Sequence, residues 1–334
     1  MKSAPRVFGP VWSRRLGVSL GVDPLVFKSC SYDCVYCQLG RTVRPRLRRS
    51  QRIEPSIVLD EVRQHLDAIG KRRLDWITVV GSGEPTLDLG LGSLLRELRR
   101  LSDAKLAVIT NGSLLTNQDV REELMEADAV LPSLDAGDHA TFQAINRPHG
   151  ALDFVQILEG LASFRHEYPG KLWVEVMLVS GINDSPEALV ALERALAQVA
   201  AHEVHVNVPT RPPAEPWVLP PTVERLADAM SRLGGCSSPE LSAAAGSPPY
   251  CPIGADLRET IMGIIGRHPM TANELSWTLA GPGPEQVLSW LRVLEREGIV
   301  QRVSRFDKRY WTTSMARFEG GSPRPGRAGQ CARA

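Results

Sequence analysis

The sequence predicts an α/β fold built on a parallel sheet, followed by a small C-terminal unit of different pattern. Two observations predict the first part. Short apolar runs alternate with helix-length amphipathic stretches through the first 235 residues, and strands that alternate with helices are joined by right-handed crossovers into one sheet, open or curled towards a barrel. The third observation concerns the end of the chain. After a Ser-, Ala- and Pro-rich stretch the order becomes helix, helix, helix, hairpin.

Six strands are predicted. "GVSLGVDPLVF" (17–27) comes first, ahead of a cysteine-rich loop, followed by "DWITVVG" (75–81), "KLAVIT" (105–110), "DAVLPSLD" (128–135), "LWVEVMLV" (172–179) and "EVHVNVP" (203–209). Between them "PSIVLDEVRQHLDAIG", "LGSLLRELRRL", "NQDVREELMEA", "ALDFVQILEGLASFRHEY" and "SPEALVALERALAQVAA" repeat apolar residues at three- and four-residue spacing, the mark of a helix with one buried face. "TVERLADAMSRLGG" closes the unit near 235. The expected division is therefore a core over 1–235, a linker over 236–253, a C-terminal domain over 254–318 and a disordered tail over 319–334, where "EGGSPRPGRAGQCARA" is rich in Gly, Pro and Arg.

Within the C-terminal domain, Thr271 and Glu274 have capping-box spacing. Trp277, Leu288, Leu291 and Leu294 recur at core spacing. The order of elements resembles a winged helix, with Arg302, Arg305, Lys308 and Arg309 on its hairpin.

Composition excludes several classes. With Lys+Arg 39 against Asp+Glu 38 and 43% hydrophobic residues, the chain is neither a polycation nor a disordered acidic protein. It has no apolar run of membrane-spanning length and its start lacks a signal-peptide core, so a cytoplasmic protein without a membrane partner is expected. Clustered thiols in that compartment bind metal more often than they form disulfides.

Cys30, Cys34 and Cys37 are separated by three and by two intervening residues in "CSYDCVYC". Thiolates at such spacing hold iron–sulfur clusters, and three of them on a four-iron cluster leave one iron open to a small molecule. A zinc site would need a fourth ligand. The nearest histidine is His65, on a predicted helix, and no cysteine is nearby.

This motif, with Tyr36 just before the last cysteine, resembles the signature of the radical S-adenosylmethionine (SAM) superfamily. The resemblance covers roughly residues 6–235. It is closest to a subgroup related to the wyosine-forming tRNA guanine cyclases, which "FGPVWSRRLGVSLGVDP" and "NRPHG" (146–150) also bring to mind. It departs from those enzymes because no cysteine ahead of Cys30 is present to hold their second cluster, and because Lys28, Lys105 and Lys171 are poorly placed to capture pyruvate as they do.

The resemblance implies a partial (β/α)6 TIM-like barrel with a small C-terminal winged-helix domain. It also implies a [4Fe–4S] cluster on Cys30, Cys34 and Cys37, and SAM chelated by the free iron. Reductive cleavage of SAM by an electron donor such as flavodoxin or ferredoxin then starts radical chemistry. Cofactor-binding residues are expected at the C-terminal ends of strands: Tyr36 near the cluster, then Gly81, Gly83 and Glu84 in "GSGEP", which looks like a glycine–glycine–glutamate segment with Ser82 inserted. Asn111 (beside Thr110) follows strand three, Ser133 and Asp135 strand four, Ser180 and Asn183 (with Ile182) strand five, and Asn207 strand six.

The substrate is open: tRNA or another nucleic acid, a peptide, or a small metabolite. Arg14, Arg15, Arg41, Arg44, Arg46, Arg48 and Arg49 gather positive charge around the cysteine loop and suit a phosphate, or form a solvated loop. His139 and His149 lie near the exit of strand four. Cys236 and Cys251 in the linker and Cys331 in the tail are expected to be spare thiols. The alternative from another class is an iron–sulfur regulator that binds DNA through its winged helix without turnover; it would not need the polar series at the strand ends.

Overall fold

The computed structural model describes residues 5–13, 15–70, 73–234, 236–237, 257–279 and 282–318. The predicted tail and all of the predicted linker beyond Ser237 lie outside these residues, with Cys251 and Cys331. Arg14 does too, and of Cys236 only the backbone is described.

The six predicted strands appear as a parallel series: β2 (Gly17–Val22), β3 (Trp76–Val79), β4 (Lys105–Thr110), β5 (Ala129–Pro132), β6 (Lys171–Met177) and β7 (Glu203–Asn207). Two strands extend the sheet. β1 (Val7–Ser13) pairs antiparallel with β2, and β8 (Cys236–Ser237) pairs parallel with β7, so the start of the predicted linker is a strand. The resulting order, β1 to β8 in sequence, is mostly parallel and matches a partial TIM-like barrel. β1 was not expected because Gly9 and Pro10 break its apolar alternation.

Helices cover the outer face: α1 (Pro55–Ile69), α2 (Leu91–Leu101), α3 (Gln118–Leu124), α4 (His139–Asn146), α5 (Phe154–Glu167), α6 (Pro186–Val199) and α7 (Val223–Leu233). α2 shows why they dock. Leu91, Leu94, Leu95 and Leu98 fall on one stripe and are all fully or almost fully buried, each contributing about 1.5–3 kcal/mol by leaving water. Local signals set the ends. Asp153 and Ser185 accept from Gln156 N and Ala188 N at the starts of α5 and α6, and Gly234 ends α7 in the left-handed region (φ 63°). α4 has no separate counterpart among the predicted helices; it is a short element that Asp138 caps through Thr141 N, 2.9 Å away.

The C-terminal elements follow the predicted order: α8 (Leu257–Ile265), α9 (Ala272–Leu279), α10 (Pro284–Arg296), β9 (Val300–Arg305) and β10 (Lys308–Thr313), the last two antiparallel. The capping box forms, with Thr271 N to Glu274 Oε2 at 2.8 Å and Glu274 N to Thr271 Oγ1 at 3.2 Å. Leu291 and Leu294 are core and Leu288 is partly buried against it, but Trp277 is 51% exposed. Leu275 and Leu279 are the α9 residues that fill the core, and Trp277 lies off that face.

These elements are fastened to the cysteine loop. Arg267, between α8 and α9, is buried against Asp23, which follows β2; its Nη2 lies 2.8 Å and its Nε 2.9 Å from Asp23 Oδ2. Gln38 donates to the carbonyl of Arg267 (3.1 Å) and approaches His268 Nδ1 (3.3 Å). Gly40 forms a backbone bridge with Arg317, and Arg41 N donates to Arg317 O at 2.7 Å. Gly40 has φ 76°, and a Cβ there would collide with the Arg317 backbone, so both conformation and space demand glycine. No described helix is long and apolar enough to cross a membrane.

Candidate active site

The loop from Leu25 to Thr42 leaves the C-terminal end of β2 and carries the three cysteines, all partly buried and all free thiols. Its path is held by backbone contacts. Ser29 bridges Gly83 and accepts from Glu84 N at 2.8 Å, and Lys28 N donates to Ser82 O at 2.5 Å. A Cβ on Gly83 would overlap the Ser29 carbonyl, so this glycine serves the approach of the "GSGEP" segment to the cysteine loop. A Cβ on Gly81 would meet the Leu25 side chain.

Each cysteine sulfur faces a different nitrogen donor. Asn111 Nδ2 lies 3.7 Å from Cys30 Sγ, Asn146 Nδ2 3.5 Å from Cys34 Sγ, and Lys28 Nζ 3.2 Å from Cys37 Sγ. Lys28 adopts a left-handed backbone (φ 59°) and is steadied by Gly40 O at 2.7 Å. Burial pushes the Cys30 thiol up to about 12, against the pull of Lys28, and pushes Cys34 well up. Metal binding therefore has to displace protons.

Among the described residues no three His, Cys, Asp or Glu side chains converge as a site for one metal ion, these thiols included. A tetrahedral zinc ion would need a fourth ligand beside the three thiols. A cluster takes one sulfur per iron, and donors aimed at separate sulfurs suit the negative charge of bound thiolate. The residues present fit a cluster.

The strand ends divide into occupied and open groups. Glu84 is buried: its Oε1 accepts from Thr86 N (3.0 Å), Thr86 Oγ1 (2.7 Å) and Thr110 Oγ1 (2.6 Å), and its Oε2 from Asn111 N (2.6 Å). Burial raises its pKa while these bonds oppose the rise. Asp135 is equally enclosed. Tyr36 Oη and Asn146 Nδ2 each donate to Oδ2 at 2.6 Å, and Met177 N donates to Oδ1 at 2.7 Å. Desolvation raises its pKa first, again opposed by its donors. Asn183 gives both amide hydrogens to carbonyls, Asp135 O and Met177 O at 2.8 Å, and accepts from Val179 N at 2.7 Å. Three residues expected to meet the cofactor are thus consumed within the protein, where they tie neighbouring strand ends to each other and to the cysteine loop.

Ser133, Ser180 and Asn207 differ. All are partly buried, and among the described residues their side chains make no hydrogen bond, although their backbones are paired with Thr110, Leu219 and Leu178. Asn111 is intermediate: its amide reaches Ser31 Oγ at 2.8 Å as well as Cys30, and its Oδ1 accepts from Ser113 N.

Asn146 and Lys28 join the site although no motif marks either as a cofactor residue. "NRPHG" supplies the brace: Asn146 joins Asp135 to Cys34, the carbonyls of Asn146 and Arg147 accept from Asp33 N, and Tyr32 bridges Pro148. His149 is turned to its own loop, accepting from Ala151 N at 3.2 Å, and His139 is exposed at the start of α4. The arginine group also divides. Arg15 pairs with Glu175, Arg41 with Glu215 and Asp33, and Arg49 with Glu123 and the carbonyls of Thr86 and Asp88. Arg44, Arg46 and Arg48 are exposed.

A family model described as Radical SAM superfamily matches residues 25–193. A UPF0026 protein of Methanocaldococcus jannaschii is 38% identical over 217 residues, 65% of this chain and 67% of that protein. A UPF0026 protein of Synechocystis sp. is 38% identical over 209 residues, 62% of this chain and 77% of that one. Among solved structures, that of TYW1 with a lysine–pyruvate adduct bound aligns with a TM-score of 0.49 at 20% identity, covering 66% of this chain and 74% of the other. The chain belongs to the radical SAM superfamily, which uses a [4Fe–4S] cluster and S-adenosylmethionine.

Proposed function

We propose that this chain is an enzyme that holds a [4Fe–4S] cluster on Cys30, Cys34 and Cys37 and begins radical chemistry on an RNA, a peptide or a small metabolite. The observation that carries the reading is the set of three free thiols on one loop, each sulfur faced by its own N–H donor. When bound, the cluster and SAM supply reductive cleavage to methionine and a hydrogen-abstracting 5′-deoxyadenosyl radical. The chain supplies position. Asn111, Asn146 and Lys28 orient the sulfurs, Asp135 fixes Tyr36 and Asn146, and Ser133, Ser180 and Asn207 offer unused polar groups to the cofactor. Gly81 and Gly83 let the backbone after β3 come close to the loop.

Within the superfamily we place the chain nearest the subgroup related to wyosine-forming cyclases, without their second cluster, since no cysteine precedes Cys30 in this sequence. The C-terminal elements are read as a winged helix that braces the cysteine loop through Arg267, His268 and Arg317. The DNA-binding regulator is less well supported, because a sensor without turnover has no use for the open polar groups at the strand ends.

Anaerobic reconstitution is expected to load about four irons and four sulfides per chain, and dithionite-reduced protein to release 5′-deoxyadenosine from SAM. Stoichiometric zinc uptake with no iron would overturn the reading.

A further inference from the structure

The residues just after the cysteine loop form a surface that the chemistry inside the barrel does not use. From Arg44 to Arg52 the chain runs along the outside of the loop. Arg46 N donates to the carbonyl of Cys30 at 2.8 Å, and Ser50 N donates to Leu87 O at 2.9 Å. A shallow open cleft lies here, lined by Val26, Ser29, Arg46, Arg48, Arg52 and Asp88 among others. Arg44, Arg46, Arg48 and Arg52 are exposed, and none is paired with a carboxylate among the described residues. Arg49, in the same stretch, is turned inward to Glu123. Four uncompensated guanidinium groups on nine residues make a local positive field on a chain whose net charge is only +1. Beside them Val26 is 41% exposed, an apolar contact with a cationic rim.

The cleft is lined by the segments that follow β2 and β3 and by the stretch after the cysteine loop. Cys30 turns its carbonyl to Arg46 and its sulfur to Asn111. No residue of β5, β6 or β7 lines the cleft. An anionic substrate held there would not meet the open polar groups Ser133 and Asn207, which are not among the cleft's lining residues. A redox partner needs no such access: an electron has only to reach the sulfur of Cys30, and a single hydrogen bond joins this surface to that residue's backbone.

We propose that this face is the docking site of a small acidic one-electron carrier protein with a flavin or iron–sulfur centre. The proposal rests on the reading of the site as a cluster-bearing enzyme. In the encounter the carrier is oxidised by one electron, which reduces the cluster from the 2+ to the 1+ state; no bond is broken and no proton moves.

The experiment uses the full-length reconstituted protein and a flavodoxin kept reduced by its NADPH-dependent reductase. The rate of cluster reduction is followed by electron paramagnetic resonance at low and high ionic strength. The proposal expects the wild-type rate to fall with salt, and R46E/R48E/R52E to be at least about tenfold slower at low salt, with the gap closing at high salt. The extent of reduction by excess dithionite, and the 5′-deoxyadenosine then formed, should be unchanged in the variant. A salt-independent wild-type rate overturns the proposal, as does a variant reduced as fast as wild type. A variant that keeps its flavodoxin rate but loses retention of cellular RNA in a gel-shift assay overturns it in favour of a nucleic-acid surface. Failure of dithionite-reduced wild type to cleave SAM is a separate result, which removes the enzymatic reading instead.

Discussion

The hydroxyl of Tyr36 lies 2.6 Å from the carboxylate of Asp135, 99 residues away in sequence, and the same carboxylate oxygen holds the amide that reaches Cys34. This join makes the tyrosine of the cysteine motif a strut between loop and sheet. Tyr36→Phe should cost about 1–3 kcal/mol, because it takes a donor from a buried carboxylate. The measurements are thermal melting and the rate at which a chelator bleaches the reconstituted cluster. A variant that melts and bleaches like wild type would show the strut to be idle.

Gly83→Ala is expected to lose the cluster first and SAM binding only as a consequence. Its new methyl group would overlap the Ser29 carbonyl, one residue before Cys30. Iron content after reconstitution checks this. A glycine that served only the cofactor would leave iron uptake intact on this substitution.

Lys28→Met should shift the midpoint potential of the cluster to a more negative value, and Lys28→Arg should restore part of the shift. The ammonium lies 3.2 Å from Cys37 Sγ and favours the more negatively charged reduced state. An electron paramagnetic resonance redox titration reads the shift directly. Equal potentials in all three proteins would remove the lysine from the electronics of the site.

Arg267→Met leaves Asp23 buried without its cation. Unpairing a buried ion pair costs about 3–5 kcal/mol, moderated here by the donors Leu25 N and Ser82 Oγ on the same carboxylate. Urea unfolding should show the loss, and adding Asp23→Asn should recover part of it. A single variant within about 1 kcal/mol of wild type would contradict the role given to this pair.

His268 supplies a pH dependence. Burial, and then Arg211 and Arg267, lower its pKa from 6.5 to about 4. Between those values the unfolded chain binds the proton and the folded chain does not. The associated stability is therefore complete above pH 6.5 and is lost as the pH falls to about 4, a change of about 3 kcal/mol. The loss of unfolding free energy between pH 7 and pH 4.5 should be smaller in His268→Gln, and an equal loss would dismiss the histidine as its source.

The cysteine spacing and the strand–helix alternation were legible because both are properties of neighbouring residues. The state of the polar groups at the strand ends was not. Glu84, Asp135 and Asn183 read as ligands in one dimension, yet Thr110 on Glu84, and Tyr36, Asn146 and Met177 on Asp135, come from other segments of the chain. Ser133, Ser180 and Asn207 look no different in sequence, and only the fold separates them from the saturated three. Trp277 failed for a related reason: a repeat of large apolar residues marks a helix, but which of them faces inward depends on the partner surface.

The bridge between Gly40 and Arg317 has a consequence for synthesis. Residues that bear the thiols leave the ribosome long before the segment around Arg317 that fastens them, so a nascent chain can complete its sheet while the loop still lacks its last clasp. Iron loading into the finished pocket then belongs after translation. Ribosome-held chains that stop short of residue 317 should retain iron poorly even when their sheet has formed.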